Sequence, residues 1–142
     1  VTETPETIPV VRVNSDLARD AGFTVPVELT EAAWADCVTW TGEDTARTGA
    51  PQDETGRAWD VVWMASRLLK RDPRGGIFGI YRMARDAEAG PRAEPQVLYA
   101  QPEPGLVTIW LASEAEAAGL PAGDWQEHLQ AMVELDAEDE DG

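Results

Sequence analysis

Cysteine, histidine and lysine each occur once in this chain of 142 residues, as Cys37, His128 and Lys70. A single cysteine rules out an intrachain disulfide and, with a single histidine, leaves too few soft ligands for a structural zinc site. No second group beside His128 suggests a Ser/His/Asp set, and His128 sits among polar neighbours (Gln126, Glu127, Gln130) where a surface histidine is the simplest reading. No apolar run approaches the ~18 residues of a membrane span. The opening VTETPETIPVV is acidic and broken by proline, the reverse of a basic, apolar export signal. These features together set the expectation of a cytoplasmic chain with no membrane partner. Phosphate-binding loops are missing too. The glycine-rich run Arg74 to Gly79 precedes a strand pattern, so it lacks the helix N-terminus that an anion cradle uses.

Positive charge is scarce as well, and unevenly placed. Against a net charge of −16, all eleven basic residues lie between Arg12 and Arg92. Residues 113–142 hold ten acids and no Lys or Arg, whereas residues 67–92 carry seven basic residues against three acids. A basic middle and an acidic end argue against direct nucleic-acid binding, which needs a clustered positive surface. The predominance of Arg over Lys points to a GC-rich bacterial or phage genome.

The length fits one domain. Residues 1–9 read as a loose arm, 10–112 as an α+β core, 113–135 as a C-terminal helical extension and 136–142 as a solvated acidic tail. Val10 to Val13 suggests a short strand, and Ser15 to Gly22 a short capped helix. Pro26 imposes an extended connection. Thr30 is a fitting N-cap for a helix over 31–41, and residues 42–52 read as a loop. A second, very apolar helix starts between Asp53 and Arg57 and ends at Lys70-Arg71, with Trp59, Val62, Trp63, Ser66 and Leu69 on one face. The pattern then shortens to strands at 77–83, 96–100 and 106–111, joined by a loop over 86–95 and a turn at 102–105. A short polar helix or turn over 113–118 and a final helix capped by Asp124 complete the chain. The predicted architecture is therefore two or three N-terminal helices packed on a three-stranded antiparallel meander, followed by a C-terminal helix and an acidic tail. Trp34, Trp59 and Trp63 fit the core, and Trp40, Trp110 and Trp125 a partly exposed position.

Two constellations stand out. Asp36, Asp53, Glu54 and Asp60 surround Arg57 in sequence on the two tryptophan-bearing helices. Acids inside apolar helices need partners, so the group reads either as an Asp–Arg network that orients the helices or as a hard-metal or acid/base site of a small hydrolase. Cys37 lies on an apolar stripe with no activating base, which suits a buried side chain. Glu134, Asp136, Glu138, Asp139, Glu140 and Asp141 form the second constellation, six acids in eight residues. Such a run either keeps the chain solvated, folds onto the basic segment, or imitates a phosphate backbone toward a basic groove.

The segments VELT…WADCVTW (Val27 to Trp40) and QDETGRAWDVVWMA (Gln52 to Ala65) resemble a family of small uncharacterised proteins encoded on bacterial plasmids, integrative elements and phages. The resemblance covers roughly residues 10–112. It implies a mobile-element setting, where small acidic proteins act on host nucleic-acid machinery, and carries no catalytic residues or cofactor with it. The leading expectation is a non-enzymatic acidic binding protein that inhibits a basic, nucleic-acid-handling host protein by mimicking DNA. A small metal-assisted hydrolase and a structural or assembly subunit of undetermined oligomeric state are the alternatives.

Overall fold

The computed structural model describes residues 8–84 and 93–141, leaving the side chains of 136–141 aside. Among the described residues the chain forms strands β1 (Val10–Arg12), β2 (Val27–Thr30), β3 (Gly76–Met83), β4 (Ala93–Glu103) and β5 (Leu106–Leu111). Its helices are α1 (Ser15–Asp20), α2 (Glu31–Cys37), α3 (Gly42–Thr48), α4 (Glu54–Arg71), α5 (Ala112–Ala117) and α6 (Trp125–Asp141). The strands make one mixed sheet in the order β1-β2-β5-β4-β3. The β3–β4–β5 portion is antiparallel, β2 joins β5 in parallel, and β1 closes the edge antiparallel to β2. No described helix is long and apolar enough to cross a membrane.

This corrects the expected three-stranded meander. Three C-terminal strands form, with β4 running from Ala93 to Glu103 instead of 96–100, and the stretch after Pro26 is a further strand and not merely an extended connection. Val27 and Leu29 are fully buried and lie opposite Val107 and Ile109 of β5. Four residues carry little periodicity of their own, and their pairing partner lies far along the chain. Val11 and Arg12 then pair with Leu29 and Glu28, adding the fifth strand. The expected loop over 42–52 contains α3. Its seven residues have little apolar face and rest on a reciprocal cap, with Thr41 Oγ1 accepting from Asp44 N at 3.1 Å and Asp44 accepting from Thr41 N at 2.8 Å. Gly49 ends it at φ 75, a left-handed conformation open to glycine. The helix expected over 31–41 stops at Cys37. The loop over 86–95 is partly strand, since β4 starts at Ala93, while residues 85–92 lie outside the described residues.

Both faces of the sheet are covered, which is why β4 and β5 are buried at consecutive positions instead of alternate ones. On one face α1, α2 and α4 pack Ala18, Ala33, Ala58, Val61, Val62 and Ala65 against Leu29, Phe78, Ile80, Leu98 and Ile109. On the other, the C-terminal segment packs Trp125, Leu129 and Met132 against Ile77, Val97 and Ala112, and Ala115 and Leu120 against Tyr99 and Trp110. The tryptophans divide differently from expectation. Trp40 and Trp110 are buried, whereas Trp63 is 36 % exposed and stacks on Trp59 with ring centres 5.7 Å apart. The core face of α4 is the Ala58, Val61, Val62, Ala65, Leu68 stripe, which leaves the two stacked indoles at its margin.

Candidate functional site

Thr30 caps α2 by accepting from Ala33 N at 3.1 Å, and its hydroxyl donates to Glu114 at 2.6 Å. The short helix that follows points Cys37 into the core and Asp36 toward the sheet. There Arg82 of β3 grips the Asp36 carboxylate through Nε at 3.0 Å and Nη2 at 3.1 Å, and Gln96 of β4 donates to it at 3.1 Å. A two-pronged guanidinium contact is the strongest form of such a pair. Burial raises the Asp36 pKa, but the Arg82 hydrogen bond and charge, with help from Gln96 and the Cys37 thiol, outweigh it and hold the carboxyl below its ordinary value. Arg82 responds reciprocally: burial lowers its pKa, and the bond to Asp36 more than restores it.

Cys37 lies behind this pair. Burial, and then the Asp36 charge, push its thiol far above the usual range, so it remains protonated. A thiol held in that form is a small apolar side chain and a poor nucleophile.

Arg57 does not sit among carboxylates as a simple Asp–Arg network would require. Although 5 % exposed, it donates to main-chain carbonyls, through Nε to Val38 at 3.0 Å and through Nη1 to Met83 at 3.0 Å. Its guanidinium lies 4.9 Å from the Trp40 ring centre. One side chain thus ties the end of α2, the start of α4 and the end of β3. Burial lowers its pKa, and the charges of Asp36 and Asp44 oppose that fall.

The remaining acids have separate duties. Asp53 caps α4 by accepting from Thr55 N at 3.1 Å, and Glu54 accepts from Trp40 N at 2.8 Å. Asp60 is on the exposed flank of α4, its pKa raised by partial burial against the pull of Arg57. It borders a cleft of about 170 Å³ lined also by Cys37, Gln52, Arg57, Tyr81 and Arg82. Within it Arg82 is held by Asp36, Arg57 donates to the Val38 and Met83 carbonyls, and the protonated Cys37 thiol is a poor nucleophile. Among the described residues no three His, Cys, Asp or Glu side chains converge to hold a metal ion. Asp36, Asp53, Glu54 and Asp60 are therefore spread over an ion pair, a cap, a loop anchor and a surface. The structure does not gather them around Arg57: Asp36 pairs with Arg82, and Arg57 donates to main-chain carbonyls. Arg82 and Gln96 were not anticipated. They belong to strands distant in sequence, and only their alternation within β3 and β4 marks which face they share.

α6, the helix whose sequence holds the acidic constellation, packs on the opposite face of the sheet through Trp125, Leu129 and Met132. Glu114 is absorbed into the fold, accepting from Thr30 Oγ1 and from Leu111 N. Glu116, Asp124, Glu127 and Glu134 are exposed. α6 continues through Asp141, while the carboxylates of Asp136, Glu138, Asp139, Glu140 and Asp141 lie outside the described side chains. His128 is exposed on the same helix, above Gly79 of β3 and on the face away from Cys37.

No protein-family model, curated protein or solved structure matches the chain.

Proposed function

We propose that this is a non-enzymatic binding protein of a phage or mobile element whose acidic α5–α6 side occupies the basic groove of a nucleic-acid-handling host protein. The carrying observation is the construction of α6. Its first turns are anchored on the sheet by Trp125, Leu129 and Met132, and six acids fall within its last eight residues. At a rise of ~1.5 Å per residue those eight residues span about 12 Å, or roughly one charge per 2 Å. Duplex DNA carries one charge per ~1.7 Å of its axis. No basic residue of the last turn offsets them, and these positions fall at the C-terminal, negative end of the helix dipole. A basic partner relieves that self-repulsion, so binding gains from a strain already present in the free chain. The resemblance of the Val27–Trp40 and Gln52–Ala65 segments to proteins of mobile elements supports the same setting. Asp36, Asp53 and Glu54 are engaged within the fold, and the exposed Asp60 takes no part in this reading.

The test is competition. The chain is immobilised and presented with a panel of bacterial nucleases and nucleic-acid-guided effector complexes, with and without duplex DNA. The expected result is a partner that DNA displaces, and that is lost when Glu134, Asp136, Glu138, Asp139, Glu140 and Asp141 are changed to Gln or Asn. A partner that holds this protein and DNA together, or that ignores the neutralised variant, contradicts the proposal.

A further inference from the structure

The sheet ends on an unusually open edge. Among the described residues β3 is its outermost strand and pairs with β4 alone. Natural edge strands are blunted by prolines, bulges, charges or brevity. β3 runs for eight residues without proline, Asp, Glu or Lys, and its one charge, Arg82, is engaged by Asp36. Among the described residues, its main chain has no partner beyond β4 except at Met83, whose carbonyl accepts from Arg57. Large apolar side chains flank this edge on each layer: Met64 of α4 is 37 % exposed, Tyr81 of β3 44 % and Leu135 of α6 57 %. Leu135 falls on the same side of α6 as His128, seven residues earlier, which stands over Gly79 of β3.

The charges along α4 identify what fits there. Arg57 and Asp60 lie beside the Ile80–Met83 end of β3, and Leu68 and Arg71 beside the Gly76–Ile77 end. Asp60, Met64 and Arg71 recur at helical spacing on the flank over that edge, with Arg67 between them turned further toward solvent, all exposed. Asp60 and Arg71 have no ion-pair or hydrogen-bond partner among the described residues, and Arg67 rests only on the Trp63 ring. We propose that a second copy of this chain docks here, β3 pairing antiparallel with β3 across a two-fold axis near Met64. Strands are ~4.8 Å apart, so helices covering the last strand pair of each sheet come side by side at about the 8–10 Å of packed helices. Reflection through Met64 sets Asp60, about 6 Å along the axis, between the partner's Arg67 and Arg71 at about 4.5 and 10.5 Å. The acidic end of each helix thus meets the basic end of the other, the self-complementarity that a two-fold interface requires. The net charge of −16 opposes association at long range, but physiological salt screens charges beyond ~8 Å.

Light scattering on the size-fractionated full chain, at about 100 µM in 0.15 M NaCl, tests this. The wild-type chain is expected to be a dimer. Asp60→Arg alone, and Arg67→Glu with Arg71→Glu, each weaken dimerisation at least tenfold, and the three changes together restore it. Circular dichroism confirms that each variant is folded. A wild-type monomer, or a dimer that survives both partial charge reversals, overturns the proposal. A chain ending at Leu135 is expected to dimerise at least as tightly, because five like charges are removed, which separates this interface from the role of the acidic tail.

Discussion

Asp36 keeps its charge inside a protein because three neighbours share it. Removing that charge strands the Arg82 guanidinium, which is 12 % exposed, without its anion. Asp36→Asn is expected to cost about 2–3 kcal/mol in urea unfolding at pH 7, less than a fully buried pair because Asp36 is itself 29 % exposed. The contribution has a direction in pH. The folded-state pKa is lowered, so its stabilisation is present above the ordinary carboxyl range near ~4 and is lost as pH falls through the lower folded value. The gap between wild type and Asn variant should accordingly close below about pH 4. Cys37 works in the opposite sense. Its folded pKa is raised, so its contribution is intact below the unfolded thiol value of ~8.5 and declines above it. Relative to Cys37→Ala, the wild-type chain should lose about 1.4 kcal/mol of stability per pH unit above roughly pH 9. Parallel pH curves for the two chains contradict a buried, protonated thiol. At this scale the sequence was informative about need and silent about partner. An acid within an apolar helix announces that something must pair with it, but Arg82 lies 46 residues away on a strand. Arg57 was equally visible, and its carbonyl partners on Val38 and Met83 were not.

Elements with long apolar patterns were legible, as α4 and the three antiparallel strands illustrate. Those that owe their form to pairing or caps were not. β2 exists because β5 accepts it in parallel, and α3 because Thr41 and Asp44 close each other's hydrogen bonds. Even in α4 the periodicity admitted a choice of face. Tryptophan's size favours a core face through Trp59 and Trp63, whereas smaller Ala and Val residues make the close approach to the sheet. On the second face that closeness is set by Gly79, where an added Cβ would meet Met132 Cε at 2.6 Å and His128 Nε2 at 3.2 Å. Gly79→Ala is expected to cost about 1–2 kcal/mol, at the lower end of overpacking because the Met132 end can swing aside. Pairing it with Met132→Ala should recover part of the loss, and strict additivity in a double-mutant cycle contradicts direct packing of α6 on β3.

Taken whole, the molecule has two unlike sides. Mixed charge covers the α1–α4 layer, and the segment from Ser113 onward carries ten acids with no base. That segment also covers the second face of the sheet, because Trp125, Leu129 and Met132 pack on Val97 and Ala112. Removing everything after Ala112 would expose the sheet and confound binding with unfolding. Ending the chain at Leu135 keeps those anchors and deletes five of the six clustered acids. The most direct measurement of the central claim is the salt dependence of partner affinity for these two chains. The full chain is expected to bind about tenfold or more tightly than the shortened one at 50 mM NaCl, with the two converging toward 500 mM as the carboxylates are screened. Equal affinities with equal slopes across that range would place recognition elsewhere on the surface and contradict the claim.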